Sequence, residues 1–239
     1  KKDYISLLCA YVFGIGSGLY AYTFIIPKPE PQVIVLDKLQ LQKDLKTLFA
    51  YASISHLGLI AAGIMIFTMS AIEASMIQII NHSIVAIGLF LAAGIIEDRL
   101  QTRNIEDLGG IAKVAPHFGF WFAVMTFISV SVPFTAGFMG EFILIKELFT
   151  AHWVIGITAA STLVFGAVYM LRAYQGSMFG PSKVTVFKDL TWNEYLVFAL
   201  LTVAAVGFGL YPQIIIDFIK PSIKFTQELM AGDLTFTKK

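Results

Sequence analysis

Ser131-Val132-Pro133-Phe134-Thr135-Ala136-Gly137-Phe138-Met139-Gly140-Glu141 lies at the centre of an apolar run that extends from Phe118 to Ala151. Drawn as one straight helix, that run would be about 50 Å long at ~1.5 Å per residue, against a hydrocarbon core of about 30 Å. Pro133 removes a backbone hydrogen bond, and Gly137 and Gly140 loosen the turns that follow. The stretch therefore predicts a discontinuous helix, broken near mid-membrane. Unwound backbone at that depth persists only where it is buried in protein or lines a wet cavity, an arrangement found in transporters. A hairpin of two short re-entrant helices is the alternative reading of the same residues.

Outward from the break, five further apolar runs approach or exceed the ~20 residues that a span needs: Tyr4–Ile26, Thr47–Met69, Ala71–Ile96, Trp153–Met170 and Tyr195–Ile219. The runs are continuous, whereas barrel strands alternate over ~10 residues, and an open sheet cannot satisfy its backbone in lipid. The expected fold class is all-α, a polytopic transmembrane helix bundle with one broken helix. Composition agrees: 57% of the 239 residues are hydrophobic, 14% are charged and the mean hydropathy is +0.76, far outside the soluble range. With 8 Pro, 19 Gly and a single cysteine, collagen, disordered and disulfide-scaffold classes are excluded. Cys9 alone builds no iron–sulfur site, and a net charge of +1 carries no signal for nucleic acid.

Three parts follow: an N-terminal helix with a Pro/Lys linker over 1–38, the helix bundle over 39–219 and a polar tail over 220–239. Tyr4–Ile26 reads as a true span, because its apolar run exceeds the ~7–15 residues of a cleaved signal and no Ala-X-Ala-like site follows it. Lys28, Lys38, Lys43, Arg99, Arg103, Lys113, Arg172, Lys183 and Lys188 fall on one side, while the connections near Ser70 and His152 hold no Lys or Arg. The basic side is expected to be cytoplasmic, with both termini outside.

Ionisable groups inside apolar helices are costly and mark function. Glu141 directly follows the break, where it can meet water and exchange a proton; the plainer reading is a carboxylate stabilised by a helix N-terminus. His56 lies ~14 Å deep from the basic side and His82 ~21 Å, both suited to a proton relay or, alternatively, to interhelical packing. Lys46 opens its helix and has the ordinary explanation of a snorkelling interfacial lysine. Ordered by depth, Lys46, His56, His82 and Glu141 form a staircase toward the break, with waters needed across the gaps. A haem held by the two histidines is disfavoured, because trans ligands should sit at one level and these differ by ~7 Å. Glycine loops for nucleotides, Ser/His/Asp spacing and paired cysteines are absent from the sequence.

Several of these stretches carry a resemblance. Lys43-Asp44-Leu45-Lys46…Ala50-Tyr51-Ala52-Ser53-Ile54-Ser55-His56-Leu57-Gly58, Gln78-Ile79-Ile80-Asn81-His82, Arg99…Thr102-Arg103 with Gly109-Gly110, Pro133…Gly137-Phe138…Gly140-Glu141-Phe142 and Tyr169…Phe179-Gly180 are similar to motifs of one family. From about Leu39 to Ile219 the chain resembles the antiporter-like subunits of proton-pumping NADH:quinone oxidoreductase (respiratory complex I), the M type above all. The resemblance implies that Glu141 is the terminal mid-membrane proton carrier and that His56 and His82 relay protons to it. It implies a bacterial inner-membrane location, L- and N-type membrane subunits as partners, and no cofactor bound by this chain. NADH, flavin, iron–sulfur clusters and quinone would belong to partner subunits. A multisubunit cation/proton antiporter is the nearest alternative and a membrane-bound hydrogenase subunit the third. Nothing here matches the family's N-terminal half, so the chain reads as a C-terminal fragment, a split gene or a fusion.

Overall fold

A computed structural model describes residues 43–231. The expected span Tyr4–Ile26, its linker and the last eight residues of the tail lie outside the described residues. Seven helices organise the rest: α1 (Leu45–Ile66), α2 (Met69–Leu100), α3 (Pro116–Ser129), α4 (Ala136–Ala151), α5 (Trp153–Met178), α6 (Trp192–Leu210) and α7 (Gln213–Ala231). A 3₁₀ turn at Ile105–Asp107 and a single helical turn at Ile111–Val114 link α2 to α3. Four of the helices, α1, α2, α5 and α6, are long and apolar enough to cross a membrane.

Local chemistry sets the ends of the first pair. Asp44 Oδ1 accepts from Thr47 N at 2.8 Å and starts α1. Phe67, at φ 59°, turns the chain, and Thr68 Oγ1 accepts from Ala71 N at 3.2 Å to start α2. The Thr68 hydroxyl also donates to Glu147 Oε2 at 2.8 Å, which ties this turn to the last part of α4. At the other end, Leu45 N donates to Arg103 O at 3.0 Å and Ile105 N to Lys43 O at 2.7 Å. α1 and α2 are thus an antiparallel pair closed at both ends.

The long apolar run from Phe118 is two helices. α3 stops at Ser129 and α4 starts at Ala136; between them Ser131 (φ 56°) and Phe134 (φ 77°) adopt left-handed backbone. The turn satisfies part of its own backbone: Thr135 N and Thr135 Oγ1 both donate to Val132 O, at 3.2 and 2.7 Å. Both halves run along α2 in one direction. Met125 meets Gly88, Gly137 meets Asn81 and Gly140 meets Gln78, a steady antiparallel progression that a re-entrant hairpin would not produce. A Cβ on Gly209 of α6 would stand 2.3–2.7 Å from the backbone of Phe134, Thr135 and Ala136, so only glycine lets α6 press against the break.

Two apolar clusters fill the bundle. Toward the basic end, Phe49, Phe118, Phe122 and Phe198 anchor a large cluster, with Phe49 and Phe122 edge-to-face at 6.2 Å. Toward the other end, Leu59, Ala62, Ala74, Leu144, Leu148 and Ala159 form a smaller one. Between them lies a polar layer of His56, Gln78, Asn81, His82, Ser129, Ser131 and Glu141, at the level of the break.

One expected span needs correction. Tyr195–Ile219 is not a single helix: α6 ends at Leu210, and a new helix begins at Gln213. Pro212 supplies no N–H to continue α6, which explains the break. α7 then runs on past position 220 and packs Ile215 beside Ile77 and Ala136.

Gly209→Ala is expected to cost about 1–3 kcal/mol, since the added methyl meets backbone that cannot swing aside. Gly207→Ala, whose Cβ would meet nothing within 4 Å, should be neutral. Thermal unfolding of the two variants in detergent provides the comparison.

Candidate proton-transfer site

Glu141, the sixth residue of α4, is 3% exposed. A carboxylate buried at this depth needs partners, because desolvating it costs far more than one hydrogen bond returns. It has two. Gln78 Nε2 donates to Glu141 Oε1 at 2.8 Å, and His56 Nδ1 lies 3.0 Å from the same oxygen.

α1 and α2 supply these groups from one shared face. Gln78, Asn81 and His82 stand at i, i+3 and i+4 on α2, and so point the same way. His82 faces His56 across the α1–α2 interface, with ring centroids 6.2 Å apart and planes inclined by 53°. The two histidines therefore share one space inside the bundle. Among the described residues, Gln78 Oε1, Asn81 Oδ1, His82 Nε2 and Ser131 Oγ are buried without a hydrogen-bond partner.

Small cavities join the groups. One of about 20 Å³ is lined by Ser55, His56, Ser129, Glu141, Thr162 and Tyr169. A second of about 10 Å³ lies between His56 and His82, walled by Phe49, Ser53 and Met170. Each is near the size of a single water site, and both offer polar partners to one. On its other side Glu141 borders a wider, mainly apolar cavity of about 400 Å³ that reaches Phe142, Ile145 and Lys146.

Of the four residues picked out from the sequence, Glu141, His56 and His82 come together, but the order expected from depth is corrected: His56, not His82, stands next to Glu141, because the register of α1 against α4 and not depth along one helix sets the contact. Lys46 does not join them. It lies ten residues before His56, ~15 Å along α1, where its amine pairs with Glu97. Arg103 completes that group, 3.0 Å from Asp44 and 3.6 Å from Glu97. Lys146 and Glu147 are 3.8 Å apart near the far end of α4. Sequence reasoning passed over Gln78 and Tyr169, both buried beside Glu141. For Gln78 the available signal was a polar residue one helical turn from His82 in an otherwise apolar helix. Among the described residues, no group of three or more His, Cys, Asp or Glu side chains is arranged to hold a metal ion.

Residues 40–166 match the family described as NADH:quinone oxidoreductase/Mrp antiporter, transmembrane. The chain is 35% identical to NADH-quinone oxidoreductase subunit M of Rickettsia typhi over 186 residues, covering 77% of this chain and 38% of that protein. It thus spans about two fifths of that relative's length. Among solved structures, respiratory complex I from Thermus thermophilus with bound NADH matches with TM-score 0.77 and 25% identity, covering 91% of this chain and 42% of that one. The Mrp complex from Dietzia sp. matches with TM-score 0.74 at 16% identity, over 93% of this chain and 48% of that one, a likeness of fold.

Replacing Gln78 by Leu removes a donor from a buried carboxylate and is expected to destabilise the protein by about 1–3 kcal/mol. Lys46→Met, at a partly exposed helix end, should change stability little by comparison. Thermal unfolding of the purified variants ranks the two.

Proposed function

The chain belongs to the NADH:quinone oxidoreductase/Mrp antiporter transmembrane family, and on that footing we propose that it serves as a membrane subunit of a proton-pumping NADH:quinone oxidoreductase. Its task there is to carry protons, and it holds no redox centre. NADH, flavin, iron–sulfur clusters and quinone belong to partner subunits, and its membrane neighbours are the other antiporter-like subunits, of the L and N type. Identity to a subunit M supports this reading over the antiporter one.

The observation that carries the proposal is the 3.0 Å approach of His56 Nδ1 to Glu141 Oε1 beside the broken helix. At that distance a proton passes directly from an imidazolium to a carboxylate. His82, with ring centroids 6.2 Å apart from His56, resupplies it through a water in the cavity between them. From Glu141 the proton leaves along α4, toward the end that carries Lys146 and Glu147. Lys46, paired with Glu97, stands at the opposite end of this route as its interfacial gate.

Glu141→Gln keeps the size and the hydrogen bond to Gln78 but removes the titrating group. Proton translocation in inverted vesicles should fall by about 10²-fold or more in an assembled mutant, whereas Lys46→Met should cost only a few-fold. Unimpaired pumping by the Glu141 variant sinks the role assigned to that residue. Membership is tested on a native gel, by asking whether the chain co-migrates with NADH dehydrogenase activity at high mass. Migration apart from every NADH-oxidising band would favour a cation/proton antiporter.

A further inference from the structure

Gln78 holds an amide whose two ends are treated differently. Nε2 donates to Glu141 Oε1 at 2.8 Å, while Oε1 is buried without a partner. The residue is 0% exposed, and its Oε1 lies 2.7 Å from the point where a Cβ on Gly140 would stand. An amide is nearly symmetric in shape, with an acceptor at one end and a donor at the other. A half-turn about its last bond therefore exchanges nitrogen and oxygen without disturbing the packing, provided that no side chain at position 140 enters the notch in which the amide end lies.

The two orientations suit the two states of Glu141. Ionised, its carboxylate accepts from Nε2 and leaves the amide oxygen stranded. Protonated, it is a donor, and the turned amide accepts its O–H while Nε2 is stranded in the same notch. Each arrangement leaves one polar end unpaired, so the burial penalties nearly cancel and the proton on Glu141 selects between them.

This matters for direction. When His56 gives up its Nδ1 proton, one N–H bond breaks and one O–H bond forms on Glu141, leaving a neutral imidazole and a neutral acid. His56 Nδ1, 3.0 Å from Oε1, is then an acceptor to which the same proton can return. We propose that Gln78 is the positioning residue that prevents this return. Its amide turns over once Glu141 is protonated, accepts the acid's O–H, and holds the proton away from His56 until it departs. The proposal rests on the reading that Glu141 takes its proton from His56.

The test is infrared difference spectroscopy across a pH jump on the purified assembly that contains the full chain, reconstituted in lipid, for wild type, Glu141→Gln, Gln78→Met and Gly140→Ala. Gly140→Ala retains every polar side chain but its methyl would stand 2.7 Å from Gln78 Oε1, 3.1 Å from its Cβ and 3.2 Å from its backbone nitrogen, so the amide is wedged and loses the room to turn. Wild type should show a protonated-carboxyl band that vanishes in Glu141→Gln, accompanied by a change in side-chain amide bands that vanishes in both Gln78→Met and Gly140→Ala. In Gln78→Met the Glu141 carbonyl stretch should persist at a higher wavenumber, its hydrogen bond lost. A Glu141 band with no Gln78-dependent amide change overturns the latch while leaving Glu141 as a proton carrier. Absence of any Glu141-dependent band removes the underlying reading, and the latch with it. If Gln78→Met fails to assemble, an amide change that survives in Gly140→Ala overturns the proposal on its own.

Discussion

Breaking a helix in the middle of a membrane exposes backbone groups that lipid cannot satisfy, and the surrounding structure answers that constraint. The unwound residues 130–135 spend part of their hydrogen-bonding capacity on one another, through Thr135 and Val132. Packing covers the two ends of the turn, where Ser131 and Thr135 are buried, while Val132 and Phe134 between them are 38% and 73% exposed. Gly209 brings α6 onto the turn, while Gly137 and Gly140 open notches on α4 into which Asn81 and Gln78 of α2 fit. An amide is expensive in an apolar interface, and Gln78 offsets that cost by donating to Glu141.

The polar layer that results is thin and lies between two apolar clusters. That arrangement lets a carboxylate, two histidines and two amides coexist in a span without dissolving the bundle, because apolar packing above and below continues through Phe49, Phe122, Leu59 and Leu144. Charges elsewhere keep to the ends. Arg99 donates twice to Glu194, at 2.6 and 2.8 Å, and stands 5.1 Å over the Phe187 ring. Asp189 accepts from His117 N and Phe118 N at 3.1 and 2.9 Å and so caps α3. The Asp44–Arg103–Glu97–Lys46 group holds the start of α1 to the end of α2. Rigid ends and a hydrogen-bonded middle fix the depth of Glu141 relative to His56, and a spacing near 3 Å is what direct proton transfer requires.

Helix identity was legible early because the apolar runs are long and a membrane tolerates few other structures. Boundaries were less so. The run expected at Tyr195–Ile219 stays apolar on average despite Gln213 and Asp217, and hydropathy alone does not mark where Pro212 ends one helix and permits the next. Lys46 shows a different limit: its distance along α1 places it outside the cluster, but its pairing with Glu97 depends on where α2 returns, fifty-one residues later. Gln78 shows a third. It stands one helical turn before His82, yet an uncharged amide carries no charge-burial cost by which the sequence would rank it beside the ionisable residues.

By itself, the sequence indicated an all-helical bundle with an interrupted helix, and it pointed to Glu141, His56 and His82 as ionisable groups set within apolar runs. Both follow from one-dimensional quantities: run length against bilayer thickness, and the price of burying a charge. What only the tertiary structure decided is who touches whom. The face on which Gln78 meets Glu141, the approach of His56 to the same oxygen and the fit of Gln78 into the notch at Gly140 depend on the rotation and register of α1, α2 and α4. Those are set by glycine contacts and by ion pairs at the helix ends, between residues far apart in the chain, and no local pattern in any one helix encodes them.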